Sequence, residues 1–215
     1  MRNPISTLFL LLFIIIACNV SAQPDVNKEM FKYQFIAGNT ASRILYLGKS
    51  HSFTLEIKKP NIKEQKSDAA TSNQHYLLFG KTIFQTSIID LPPIPAKMIL
   101  TKLTYAQQQE AIEGYITYEL EYFRNSLQTD VKNLSVKSFD MGTRRFVIWS
   151  LDAKFPETGG ISSNQQVYLT TLCFNKMLTL NSVVAKGQSK QSQTRLLFEI
   201  AKSLKTYNIA NPLVL

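Results

Sequence analysis

Thr104–Leu127 reads TYAQQQEAIEGYITYELEYFRNSL, and how this stretch is read decides the fold. Its apolar residues fall at Ile112, Tyr115, Ile116, Leu120, Phe123 and Leu127. Spacings of three and four put them on one face of a helix. Gln108, Gln109, Glu113, Glu121 and Arg124 fill the other side. Thr104 and Gln107 stand at capping-box spacing: the hydroxyl accepts from an amide in the first turn, and the amide side chain reaches back. Gly114 in the middle costs about 1 kcal/mol against alanine and allows close approach to a neighbouring element.

On either side of this helix the period is two. In ILYLGKSHSFTLEI (residues 44–57), Phe53, Leu55 and Ile57 alternate with Ser52, Thr54 and Glu56, as in a half-buried strand, and Pro60 stops it. Residues 61–74 read as a long exposed loop. YLLFGKTIFQTSII holds one or two strands with Gly80 at a turn or bulge, and LPPIP at 91–95 is a rigid connector, since proline removes amide donors. After the helix, Val131, Leu134 and Val136 lead to a turn near Gly142. In RRFVIWSLDAKF both faces are largely apolar, the mark of a central strand. ETGGISSN (157–164) is a loop. Val167–Phe174 and Met177–Val184 form a tight hairpin around Asn175 and Lys176, where asparagine tolerates a positive φ. A last helix carries Leu196, Leu197, Ile200, Ala201 and Leu204 on its apolar face.

Strands, a long helix, hairpins and a closing helix predict an α+β domain: an antiparallel β-sheet with a long helix and a C-terminal helix packed on it. The helix TYAQQQEAIEGYITYELEYFRNSL, the strand–turn–strand VKSFDMGTRRFVIWSL and the closing VYLTTLCFNKMLTLNSVV with TRLLFEIAKSLK resemble the PsbP-like and DcrB-like exported proteins over roughly half the chain. The resemblance implies a PsbP-like αβα sandwich in an exported, often lipid-anchored setting. Members mostly bind or assemble with other proteins. The long 58–74 loop departs from the family, and no ligand residue carries over.

The N-terminus predicts export. Arg2 precedes the apolar run LFLLLFIIIA at Leu8–Ala17, which is long enough for a signal peptide and too short for a spanning helix. Two cuts are open. Val20-Ser21-Ala22 before Gln23 suits a signal peptidase and makes residues 1–22 the leader. Ile15-Ile16-Ala17-Cys18 resembles a lipobox, which makes residues 1–17 the leader and Cys18 the lipidated membrane tether. Residues 23–42 then form an N-terminal extension or tether, to which Met30, Phe31, Tyr33, Phe35 and Ile36 add a short strand. Residues 43–207 form the single domain, and 208–215 an apolar tail. The protein is expected to be periplasmic or secreted, or else a membrane-anchored lipoprotein.

Composition is that of an ordinary globular chain, with 45% hydrophobic and 18% charged residues. Removing the leader takes away one basic residue and lowers the formal charge from +9 by one, which still favours anionic contacts. The basic residues are scattered; Lys58, Lys59, Lys63 and Lys66 form the densest group and read as a solvated loop. Neither the charge distribution nor export suits nucleic-acid binding. Cys173 alone remains for the domain, so no internal disulfide forms there, and its run VYLTTLCF places it in the core.

Chemistry is sparse. His51 and His75, with Glu56 or Asp90, offer the one metal grouping worth testing, and their spacing has no ligand periodicity. No nucleophile elbow, zincin, Walker or dinucleotide pattern is present. Glu110, Glu113, Glu119 and Glu121 read as a solvated helix face, and Arg144-Arg145 as a strand start. Tyr115, Tyr118 and Tyr122 form an aromatic stripe beside the core face and are the partner-binding candidates. The expectation is an exported, non-enzymatic accessory or scaffolding protein of the bacterial cell envelope that acts by protein–protein binding to an unknown envelope protein, without cofactor or metal. The alternative is a carrier of a lipid or other apolar ligand held between helix and sheet.

Overall fold

A computed structural model describes residues 29–65, 74–91, 103–153, 165–174 and 176–208. Two antiparallel sheets and two helices make up its elements, and the α+β class holds. The leader, Cys18, the 22/23 cut, the proline connector beyond Leu91, the 157–164 loop and residues 209–215 of the 208–215 tail lie outside the described residues. Among those described, no helix is long and apolar enough to cross a membrane.

The smaller sheet runs β1 (Lys32–Ile36), β2 (Ser42–Leu47), β3 (Ser52–Ile57) and β11 (Lys205–Tyr207), in that order. The larger has seven strands in the order β4 (Lys63–Gln65), β5 (Gln74–Phe79), β6 (Thr82–Asp90), β10 (Lys176–Val183), β9 (Gln165–Cys173), β8 (Arg144–Asp152) and β7 (Lys132–Met141). The sequence predicted one sheet. The strands divide between two because β1 and β11, which flank the β2–β3 hairpin, pair with β2 and β3 and with no strand of the larger sheet. β1 is the short strand expected within the 23–42 extension, whereas the expected 61–74 loop contains β4.

Helix α1 (Tyr105–Asn125) covers one face of the large sheet. Ile112, Ile116, Leu120 and Phe123 pack on Val147, Trp149 and Leu151 of β8 and on Tyr168 and Leu172 of β9. Its capping box forms as the sequence predicted, with Thr104 and Gln107 bonding reciprocally. On the opposite face, the small sheet and α2 (Lys190–Lys202) together close the main core. Ile44, Tyr46, Phe53 and Leu55 from the small sheet and Leu197 and Ile200 from α2 meet Phe84, Phe146, Leu169, Leu178 and Leu180. The layers are therefore helix, sheet, and then sheet plus helix. β8, β9 and β10 are apolar on both sides because each side has its own cover. Cys173 sits in this core at 0% exposure, and burial pushes its thiol up to about 12, so it packs as a small hydrophobe.

Polar side chains fasten α2 in place. Ser182 on β10 donates to Gln193 (2.8 Å), and Gln188 donates to Thr82 on β6 (3.0 Å). At the helix's far end Ser203 Oγ accepts from Glu56 N–H (2.7 Å) and lies 3.0 Å from Glu56 C=O. Gly142 takes φ +62° in the β7–β8 turn, as its place there requires. In the β9–β10 turn Phe174 takes φ +56°, which costs roughly 1–2 kcal/mol; Asn175, the residue expected to tolerate the turn, lies outside the described residues. The Phe174 ring is held against His51 (4.3 Å between centroids) and Phe31 (6.5 Å).

That aromatic group depends on Glu29. Its carboxylate accepts from Ser50 N–H (2.6 Å) and His51 N–H (3.1 Å) and lies 2.6 Å from His51 Nδ1. Burial alone would raise the Glu29 carboxyl, but these hydrogen bonds outweigh it and hold it below its ordinary value of 4.5. A lowered folded-state value means the contribution is present above the unfolded value and lost as pH falls through the folded one. Glu29→Gln is expected to lower stability by about 1–2 kcal/mol at pH 7, with the gap to wild type shrinking below pH 4.5. Urea denaturation at a series of pH values reads this, and a gap that stays constant to pH 3 contradicts it.

Candidate functional site

The helix layer is where the sequence placed its binding residues, and the structure divides them. Tyr115 faces inward and is 9% exposed, whereas Tyr118 and Tyr122 are 65% and 44% exposed. The three-residue stripe is corrected on this point. A helix turns 100° per residue, so Tyr115 falls on the flank nearest Ile112 and Phe123 and is drawn into their core, while Tyr118 swings out to solvent. Tyr115 is a structural anchor and not a contact residue.

Its hydroxyl anchors a polar seam between α1 and the sheet. Burial raises this hydroxyl above its ordinary range, with Thr179 on β10 and the Glu119 carboxyl as its polar neighbours. Nearby, Trp149 Nε1 donates to Thr170 (3.1 Å), and Tyr168 lies flat on the Trp149 indole at 3.9 Å. The four helix carboxylates were expected to be solvated. Glu119 is only half-exposed: partial burial raises its carboxyl above the ordinary range, partly opposed by the neighbouring Tyr115 hydroxyl. Spacing alone did not separate Glu119 from Glu113 or Glu121. The signal that does is its place one residue from Leu120 and three from Ile116, on the sheet-facing arc. Gln108, expected on the outer side, is also buried, and its side chain bridges Leu103 C=O (3.0 Å) and Arg145 N–H (2.9 Å).

Exposed apolar side chains gather on the outside of this layer. Among the described residues, the large hydrophobic side chains with substantial exposure are Tyr105, Tyr118 and Tyr122 on α1, Leu127 just beyond it, Leu134 and Val136 on β7, and Met30. Val136 lies opposite Trp149 in the register, so it emerges on the helix side of the sheet. All but Met30 therefore belong to α1, its C-terminal exit or the adjacent edge strand. Tyr105 is partly engaged, with its hydroxyl on Gly142 C=O (2.6 Å) and its ring under Arg145 at 5.4 Å. Arg145 also meets Asp140 at 2.8 Å and Gln109 at 3.1 Å, so it is a structural strand residue, as expected.

The histidines do not come together with the carboxylates proposed for them. His51 pairs with Glu29, and His75 lies 3.9 Å from Glu64 and stacks on Tyr33 at 3.4 Å. Glu56 pairs with Arg43 and Lys58, and Asp90 with Lys176. Among the described residues, no group of three or more His, Cys, Asp or Glu residues is placed to hold a metal ion.

No family model matches the chain, and no curated protein matches it. In architecture the chain is similar to the solution structure of cyanobacterial PsbP (CyanoP) from Synechocystis sp. PCC 6803, with a TM-score of 0.48 and 11% identity over 87% of this chain and 99% of that one. At that identity no residue's role passes from one protein to the other.

The raised Glu119 carboxyl gives the seam a pH signature. A carboxyl raised on folding favours the protonated form, so the fold gains stability as pH falls through the folded value and is penalised above it. Glu119→Gln keeps a hydrogen-bonding partner for Tyr115 and removes the desolvated charge. A higher Tm than wild type is expected at pH 8, with the difference closing toward pH 4. Calorimetry at both pH values decides, and a Tm that drops at pH 8 overturns the reading.

Proposed function

We propose that this chain is an exported accessory or scaffolding protein of the bacterial cell envelope, non-catalytic, that acts by binding another protein through the outer side of its helix layer. One observation carries the reading: the exposed large hydrophobics gather on α1, its exit and β7, with Tyr118 and Tyr122 foremost. Scattered single hydrophobics are normal on a protein surface, but aromatics concentrated on one rigid element favour an interface. α1 is fixed against the sheet by its opposite face, where Ile112, Ile116 and Phe123 are packed in the core. Tyrosine suits such a surface, offering a broad apolar face with few rotors to order on binding.

Export rests on the leader-like N-terminus. Cleavage before Gln23 would leave the domain in the periplasm or secreted, and acylation of Cys18 would tether it near the membrane. The carrier reading gains less support. The space between α1 and the sheet is where an apolar ligand would sit, and there Ile112, Trp149 and Leu151 are at 0–1% exposure, packed on one another and on Tyr168.

Tyr118→Ala combined with Tyr122→Ala is expected to change stability by no more than about 0.5 kcal/mol, since both rings are exposed. In the native host, a photo-crosslinker placed at Glu121 should capture one defined envelope protein from wild type and lose that same protein in the double variant. Capture that is indifferent to the two tyrosines, or none at all, refutes the helix layer as the contact surface.

A further inference from the structure

On the side of the molecule away from α1, a trough of about 730 Å³ runs between α2 and the end of the small sheet. Three cations come from the sheet side, Arg43, Lys58 and Lys59, and three from α2 and the strand after it, Arg195, Lys202 and Lys205. Two carboxylates, Glu56 and Glu199, line it as well. Glu56 lies 3.8 Å from Arg43 and 4.0 Å from Lys58, and Glu199 lies 3.1 Å from Lys202. Among the described residues, Lys59, Arg195 and Lys205 have no carboxylate within salt-bridge distance. The Ser203 clasp on Glu56 fixes the spacing of the two sides. A second hollow of about 400 Å³ shares Lys59, Ser192 and Leu196 with the trough and prolongs it past Gly80.

We infer that this trough is a second docking site, taken by an extended acidic peptide segment of a partner protein. The positive excess at Lys59, Arg195 and Lys205 selects an anion, and a guanidinium fork suits a carboxylate bidentately. Glu56 and Glu199 set the kind of anion. A ligand charged at every repeat, such as polyphosphate or a sulfated glycan, would meet both carboxylates at close range. A peptide places its charges only at chosen side chains and avoids them. On the sheet side, Lys205 and Tyr207 of β11 line the trough together with Thr54 and Glu56 of β3 and Arg43 of β2. That wall is long enough to lie along an extended segment, whose successive side chains point to opposite sides, so that only alternate ones face the cations. The surface is independent of the helix layer, so either can fail without the other.

The test is fluorescence anisotropy on the whole mature chain at low salt. The probe is a labelled ten-residue peptide alternating Glu and Thr, compared with its Gln/Thr counterpart. The acidic peptide is expected to bind and the neutral one not, with affinity falling steeply as salt is raised. Arg195→Glu is expected to weaken binding roughly tenfold, the effect of losing one charge-assisted contact. Should that variant not fold, Lys205→Gln, a change on an exposed side chain, is expected to weaken binding by about threefold. Absence of binding, equal binding of the two peptides, or indifference to both substitutions overturns the inference. So does tighter binding of polyphosphate than of a peptide of equal charge, which would make the trough a general polyanion site.

Discussion

Everything in this fold follows from the fact that β8, β9 and β10 are buried on both faces. In β10, Met177 turns to the helix layer, and Leu178 and Leu180 turn to the main core. A sheet apolar on one face needs one cover; apolar on both faces, it needs two. The chain supplies α1 for one face, inserted between β6 and β7. For the other it supplies a composite of α2 and a small sheet assembled from the two ends of the domain. β1 to β3 come from the start and β11 from the finish, so the second cover forms only when the termini of the domain meet. The β11–β3 ladder and Ser203 on Glu56 hold this closure, and Arg144 on Thr206 (2.6 Å) ties β11 to β8 of the large sheet.

The legible parts of the sequence were those with a local physical cause. The capping box at Thr104 and Gln107, the Gly142 turn and the two-sided pattern of Phe146–Leu151 each follow from contacts within a few residues or from strict periodicity. β4 and β11 are three residues each and too short to show a period. Their existence depends on a partner strand distant in sequence. β11 pairs with β3 about 150 residues earlier in the chain, and no window of sequence reports that. The hairpin turn was legible around Asn175 and Lys176, but the positive φ at Phe174 was not, because it depends on the rings of Phe31 and His51 from distant parts of the chain.

The binding residues show the same division at finer scale. Tyr115, Tyr118 and Tyr122 are equivalent in spacing, and only rotation about the helix axis sorts them. That rotation is set by Ile112 and Phe123, both fully engaged, and it carries Tyr115 and Glu119 inward together. A carboxylate drawn beside an apolar seam costs free energy unless bonded; the Tyr115 hydroxyl supplies the bond. The anchor that holds the helix thus also makes Glu119 tolerable.

The two outer surfaces differ in chemistry because the two covers differ in construction. α1 is one long element whose inner face is filled by large side chains, and its flanks carry aromatic surface outward. The composite cover has a seam where α2 meets the end of the small sheet. At a seam the side chains are long and polar, since they must reach water from the rims of two elements that do not pack flush. Lysine and arginine meet this requirement with apolar stems against the core and charged heads outside. Cations converging from both rims leave a trough with a positive excess, whether or not binding was selected there. What marks the trough as more than a byproduct of the seam is its asymmetry. Glu56 and Glu199 neutralise one part of it, while among the described residues Lys59, Arg195 and Lys205 have no carboxylate within salt-bridge distance. A seam needs polar side chains to be soluble, but it does not need a positive excess drawn from both of its rims.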